Sequence, residues 1–414
     1  MIVIVQTLRS WASVFSGRKE LTAEDVNCAA VLAFTFSIFL PFYFSLVTIS
    51  CIAFMTMVKC RIRVRAFSAP YTKLIFTFLA GSFFVAAIYS NYKGMAYSIL
   101  IYAIVTCGLY FRSIMTKRLF NMAMDAACIG SIWCAVAAIV QKAVTYAAAP
   151  NYRPVSAFTN ANYYGMMIEF VVLIALYRIF TNSKRTSLYA AVIGLNFVGL
   201  YLTASCSSFA AMVCASAVIL LYKHKSKIAL FFAGTVVFGV ALFLVFPSLL
   251  PRSSVALETT IAQRLSIWGA SLRAFRQTPI FGRGATAYQM VGAQYGGYKT
   301  FHCHNLMLDM LLNFGLVGTA AIGVYVLMQL RMFVVRFRWR ICRDMDVLAV
   351  AALVAVLVHG LTDVTILWIQ TGAIFFLLLS SSGIQSAFAE ERVRVPRLVS
   401  SLEGSSAQAV YLKN

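Results

Sequence analysis

Two histidines separated by one residue, His302 and His304, lie at the start of a long apolar run in a chain that contains only four histidines. Imidazole side chains titrate near neutral pH, so they serve as general bases, and neutral imidazoles are common metal ligands. We assign proton transfer to His304 and a capping role at the membrane edge to His302. A metal set completed by His359 and Asp363 is the alternative, and we expect no metal and no cofactor.

Two arginines upstream of these histidines could bind an anion. Arg264 lies on a segment with an apolar residue at every third or fourth position, which predicts an amphipathic helix ending at Pro279. Arg283 lies between two glycines, a pattern that predicts an anion-binding nest of backbone N–H groups. A guanidinium binds phosphate oxygens bidentately, although Arg264 could instead reach out to lipid phosphates. The apolar stripe consists of Ile261, Leu265, Trp268, Leu272 and Phe275.

Five further polar residues lie near predicted membrane boundaries. His359 and Asp363 are one helical turn apart, and we predict that they form a pair that supports the base. Asn305 follows His304 directly and is predicted to hold either the histidine or an acceptor sugar. Asn160 and Asn162 either line a sugar site or cap the helix that follows them.

The elements that position these residues must lie in a membrane. The chain has 414 residues, of which 61% are hydrophobic and 12% are charged. Thirteen acidic side chains cannot solvate a globular surface of this size. Soluble enzymes and secreted disulfide scaffolds are therefore excluded, and we predict an all-α, polytopic membrane protein.

A membrane-spanning helix needs about 17–25 apolar residues, and the sequence contains about twelve such runs when residues 26–58 are divided near Pro41 into two short spans. The later spans centre on residues 72–90, 94–111, 120–141, 162–180, 187–204, 206–222, 227–246, 305–330, 346–361 and 364–382. We predict a cytoplasmic segment over 1–25, nine spans within 26–246, a long extracytoplasmic loop over 247–304, three spans within 305–382 and a cytoplasmic tail over 383–414.

The net charge of +22 supports this topology rather than nucleic-acid binding. Lysine and arginine are retained on the cytoplasmic side of short loops. With both termini cytoplasmic, most of the 35 basic residues lie in the inner segments. We therefore expect contact with anionic membrane lipids and no nucleic-acid partner, and a multi-pass location in a bacterial cytoplasmic membrane.

The order of several motifs resembles the O-antigen ligase and Wzy-type polysaccharide polymerase family. The motifs are Arg264-x3-Trp268, Pro279-x-Phe281-Gly282-x-Gly284, His304-Asn305-x9-Gly315-x2-Gly318, the run from Ala157 to Gly165, and the run from Leu202 to Ser208. The resemblance implies a glycosyltransferase of the C-type architecture that acts without metal on an undecaprenyl-diphosphate-linked glycan. Two positions depart from the family pattern: Cys206 replaces an arginine, and Ala161 replaces a proline.

We predict a polymerase of lipid-linked polysaccharide repeats, with His304 as base and Arg264, aided by Arg283, stabilising the leaving diphosphate. The acceptor would be another lipid-linked repeat, and a flippase and a chain-length regulator would be partners. One alternative is an O-antigen ligase that transfers the glycan to lipid A core or to protein, in lipopolysaccharide synthesis. An alternative of another class is a lipid-linked oligosaccharide flippase, which would carry polar groups across the whole membrane and show two related halves.

Overall fold

A computed structural model describes residues 22–228, 230, 234, 238, 241 and 254–384 of the chain. Within these residues the chain forms helices and no β-strand, as the composition predicted. In chain order the α-helices are α1 (Ala23–Ile38), α2 (Phe42–Val58), α3 (Cys60–Phe67), α4 (Thr72–Ile88), α5 (Tyr92–Ile114), α6 (Lys117–Thr145), α7 (Ala161–Thr181), α8 (Thr186–Thr203), α9 (Cys206–Tyr222), α10 (Ser254–Gln277), α11 (Ala287–Val291), α12 (Leu306–Arg338), α13 (Arg343–Gly360) and α14 (Ile369–Leu379).

The described helices make this a multi-pass membrane protein. Five segments are long and apolar enough to cross a membrane: α5, α6, α7, Ser183–Thr203 and α12. The total is six if α2 and α3, which meet at a bend of 100°, form one span. The helices α4 and α9 and the segment Ile369–Gly383 are apolar but shorter. The count of twelve spans therefore remains a prediction.

Some predicted segments lie largely outside the described residues. These are the terminal segments 1–25 and 383–414 and the predicted span over 227–246. The long apolar run before Lys59 is described, and it divides at Pro41 as predicted. The Ser45 hydroxyl donates a hydrogen bond to the carbonyl oxygen of Ser37 (2.8 Å), which ties α1 to α2.

Helix α7 occupies the centre of the bundle. Every residue from Tyr164 to Arg178 is buried, as expected for a helix that is apolar on all sides. It packs against α6, α8, α9 and α13, and α9 packs along α13. The first turn of α7 and the last turn of α13 therefore end close together, and their polar residues form part of the site.

Helix α12 is interrupted at Gly315, which has φ 64° and ψ −168°. The predicted span over 305–330 therefore consists of a short outer segment and a longer segment that continues to Arg338. At the break, the turn before α11 runs alongside the helix: the amide of Leu316 donates to the carbonyl of Pro279 (2.8 Å), and the amide of Gly284 donates to that of Asn313 (2.8 Å).

The long loop forms a small core together with the outer segment of α12. Helix α10 buries Ile267, Ala270 and Ala274 against α11 and the outer segment of α12. The predicted apolar stripe is divided between two environments: Trp268 and Phe275 pack on this core. Ile261, Leu265 and Leu272 are exposed. The helix thus buries mainly small residues and presents large apolar side chains outwards.

Candidate active site

His304 lies in the turn immediately before α12, in the left-handed backbone region with φ 49°. The indole N–H of Trp268 donates to its carbonyl oxygen (3.2 Å). Its ring Nδ1 lies 3.0 Å from Oδ1 of Asp363, and its Nε2 lies 3.2 Å from the hydroxyl oxygen of Thr300. Because a carboxylate can only accept hydrogen bonds, Nδ1 carries a proton, and in the neutral ring the lone pair is then on Nε2.

Asp363 lies in the turn after α13 and is 2% exposed. Its Oδ1 accepts hydrogen bonds from His304 and from the amide of Val364 (2.8 Å), and its Oδ2 accepts one from the side-chain amide of Asn162 (2.5 Å). Burial alone would raise the pKa of Asp363. The hydrogen bond from His304 and the electrostatic influence of the nearby histidines outweigh burial and hold this pKa well below its ordinary value. Asp363 is therefore a carboxylate at neutral pH.

His302 faces the same carboxylate, with Nε2 3.7 Å from Oδ1 of Asp363. Potential ligand atoms of His302, His304 and Asp363 all lie within 4.8 Å of one another, the one such group among the described residues. Burial lowers the pKa of His302, and Asp363 offsets only part of that effect. A neutral imidazole is the form that binds a metal, so this cluster has the donor types of a metal site, whereas our prediction was no metal.

His359 does not belong to that cluster, and its predicted pairing with Asp363 is wrong. Its ring Nδ1 lies 2.6 Å from Oε1 of Glu169 on α7, and both side chains are fully buried. Its Nε2 and the Oε2 of Glu169 have no hydrogen-bond partner among the described residues. Asp363 is connected to His359 only through the backbone, where its amide donates to the carbonyl of His359 (3.0 Å).

The two predicted phosphate-binding arginines lie in different surroundings. The charge of Arg264 contributes to the lowered pKa of His302, so its guanidinium lies near the histidines. Among the described residues, none forms a hydrogen bond or ion pair with Arg264. Arg283 instead stacks over the ring of Tyr89 (5.4 Å to the centroid) and donates from Nε to the hydroxyl of Thr278 (3.4 Å).

The predicted anion nest around Arg283 is wrong. The amides of Arg283 and Gly284 donate to the carbonyls of Leu312 (3.2 Å) and Asn313 (2.8 Å), so neither is free for an anion. The glycines serve packing: a Cβ on Gly282 would lie 2.5 Å from the carbonyl of Asn313.

Of the three predicted asparagines, Asn162 joins the cluster and the other two cap helices. Asn160 is exposed and caps α7. Asn305 accepts a hydrogen bond from the amide of Leu308 (3.0 Å) at the start of α12, and its NH₂ group donates to the carbonyl of Leu361 (2.9 Å). Asn305 thus ties the start of α12 to the turn that carries Asp363.

Arg153 belongs to none of the sequence motifs, but the structure connects it to the site. Its Nη2 donates to Oδ1 of Asn162 (2.7 Å), and its Nε donates to the carbonyl of Thr203 at the end of α8 (2.6 Å). These partners are 9 and 50 residues away in the sequence, so no local pattern predicts them. Thr203 directly precedes the α8–α9 turn, after which Cys206, exposed, begins α9.

Comparison with known proteins supports the motif resemblance. Residues 189–323 match the family model Wzy_C, described as O-Antigen ligase. No curated protein matches the chain. The matched segment runs from α8 into α12 and includes Arg264, Arg283 and His304, whereas Arg153, Asn162 and Asp363 lie outside it. The match covers about a third of the chain, and it shows that this segment is similar to the O-antigen ligase family named by the motif resemblance.

Proposed function

We propose that the chain is a membrane glycosyltransferase that polymerises polysaccharide repeats carried on undecaprenyl diphosphate, on the outer side of the cytoplasmic membrane. The observation that carries this proposal is the orientation of His304: Asp363 fixes the proton on Nδ1, and Nε2 remains available as a base. The family match supports a polysaccharide or O-antigen ligase-type function.

The proposed reaction is a single displacement at the anomeric carbon of the donor. The acceptor hydroxyl oxygen forms the new bond to this carbon while the bond from the carbon to the diphosphate oxygen breaks. His304 Nε2 takes the hydroxyl proton, and the anomeric configuration inverts. Arg264 stabilises the negative charge that develops on the departing undecaprenyl diphosphate.

Arg283 is placed away from the reacting atoms in this mechanism. Its guanidinium is occupied by Tyr89 and Thr278, so we place it at the lipid-linked substrate rather than at the reacting atoms. The sugars would contact the polar turn before α7, where Asn160 is exposed.

Transfer of the finished glycan to lipid A core is a second candidate function, favoured by the description of the matching family. The chemistry at His304 is the same, and only the acceptor differs. Purified protein supplied with lipid-linked repeats alone should form a ladder of longer glycans if it is a polymerase. A requirement for lipid A core would assign it as a ligase.

His304→Ala tests the proposed catalytic role. Removing a general base costs about 10²- to 10⁴-fold in rate, so polymer should nearly vanish while lipid-linked repeats accumulate on the outer leaflet. His224→Ala is the matched control, because His224 is an exposed histidine just after the C-terminal end of α9, whereas the site lies near the N-terminal end of that helix. Binding of an impermeant lectin to the accumulated repeats shows whether they lie in the outer leaflet. Accumulation on the inner leaflet would instead indicate a flippase, and unchanged polymer would remove His304 from the mechanism.

A further inference from the structure

The residue that gives the amide of Asn162 its orientation lies in the segment between α6 and α7. Arg153 is half-buried there and donates to Oδ1 of Asn162 from one nitrogen and to the carbonyl of Thr203 from another. A guanidinium forms such paired hydrogen bonds in a fixed planar geometry. Arg153 therefore holds the start of α7 against the end of α8.

The orientation of the Asn162 amide follows from its two neighbours. Arginine can only donate and a carboxylate can only accept. The oxygen of Asn162 therefore faces Arg153, and its nitrogen faces Oδ2 of Asp363. If Arg153 is removed, the Asn162 side chain loses one of the two contacts that fix it and can rotate away from Asp363. A reversed amide would place its oxygen against the carboxylate, which is electrostatically unfavourable.

The carboxylate of Asp363 in turn directs His304. One of its oxygens is fixed by Asn162, and the other accepts from Nδ1 of His304. A buried carboxylate oxygen without a donor costs free energy, so the loss of the Asn162 contact favours a rotation of Asp363. Such a rotation weakens the hydrogen bond that keeps the proton on Nδ1 of His304.

We propose that Arg153 is a positioning residue that acts through Asn162 and Asp363 to hold His304 in one orientation and one tautomer. This inference rests on the proposed function for its effect on rate, but not for its effect on the histidine itself.

The kinetic test compares Arg153→Met with two other variants. Misplacement of a catalytic group by a fraction of an ångström to an ångström reduces rates by about 10- to 100-fold. We expect kcat to fall in that range, with KM within about threefold, when the protein acts on lipid-linked repeats extracted from its host. Lys142→Met is the matched control: Lys142 anchors the same segment through hydrogen bonds to the carbonyls of Pro150 and Tyr152 and not through Asn162.

The double variant Arg153→Met with Asn162→Ala separates positioning from a general structural role. If Arg153 acts through Asn162, the double variant should be no slower than Asn162→Ala alone. Additive losses, or a rise in KM without a fall in kcat, would overturn the proposal. Arg153→Lys keeps one donor and should recover part of the lost kcat.

A spectroscopic measurement tests the same inference without any substrate. The four histidines, labelled with ¹⁵N in protein reconstituted into lipid, give ring-nitrogen signals that report the tautomer of each ring. His304→Ala identifies the signals of His304. Arg153→Met should convert the single tautomer of His304 into a mixture, and Lys142→Met should not. Unchanged His304 signals in Arg153→Met would overturn the proposal, whether or not the chain transfers glycans.

Discussion

At the residue scale, the proposed chemistry depends on the two ring nitrogens of His304 having different partners. Asp363 accepts from Nδ1, and Thr300 offers a hydroxyl to Nε2. A hydroxyl can donate where a base would accept a substrate proton, so Thr300 marks the position that an acceptor hydroxyl could take. The same logic, a carboxylate that selects the tautomer of a histidine base, operates in serine hydrolases.

The cluster of His302, His304 and Asp363 also predicts how activity responds to metal removal. With His304 as base, transfer should persist in excess chelator, and His302→Ala should have a much smaller effect than His304→Ala. If the three side chains hold a metal, chelation should abolish activity, and one divalent ion should restore it. Metal content of the purified protein, measured by mass spectrometry, provides an independent check.

Some residues of this cluster could be predicted from the sequence. His304 and Asn305 belong to a local motif, and Asp363 and Asn162 are polar residues next to apolar runs. The predicted partner of His359 was wrong. Helical spacing places Asp363 one turn after His359, but in the fold the His359 ring contacts Glu169 of α7. Arg153 had no local signal at all, since its contacts exist only after three segments have come together.

At the element scale, the break in α12 gives the glycines of the recognised motifs a physical role. The turn around Gly282 passes so close to Gly315 that the two backbones are in direct contact. A Cβ on Gly315 would lie 2.3 Å from the carbonyl oxygen of Ile280. The sequence predicted functional importance for this glycine pattern, but it could not show that the partner of one motif is the other motif.

Gly315→Ala should therefore destabilise the protein. Its φ of 64° is strained for any residue with a Cβ, and such strain costs about 1–3 kcal/mol, to which the clash with Ile280 adds. Gly323→Ala on the same helix is the control, because nothing lies within 4 Å of that added Cβ; it should be neutral or stabilising, since alanine favours helix. The melting temperature of each variant can be measured by heating samples and quantifying the remaining folded protein by size-exclusion chromatography. Equal melting temperatures would contradict this account of the break.

At the scale of the whole molecule, the polar contacts between described helices include two sets. One contains ion pairs of Arg178 with Asp125, Lys223 with Asp344, and Arg336 with Asp346. The other contains the His304 cluster. The all-helical class was predictable because the apolar runs have the length of membrane-spanning helices, whereas the contacts between helices depend on packing that run length does not specify.

Labelling with an impermeant thiol reagent tests the orientation. In a variant with its exposed native cysteines replaced, a cysteine at Lys299 in the long loop should react in intact cells. A cysteine at Ser183, between α7 and α8, should react only after the membrane is opened. Both original residues are exposed, so access to the reagent is not limited by folding. The opposite pattern would invert the topology and place His304 in the cytoplasm.

The core of the long loop limits how this protein can be recombined with its relatives. That core is shared, because Ile267 of α10 and Tyr288 of α11 pack in one cluster with Leu312 of α12. A loop moved into another scaffold without the outer segment of α12 would leave this apolar surface uncovered. The natural unit of exchange therefore begins at α10 and ends beyond Gly315, so the loop and the break in α12 have to be moved together.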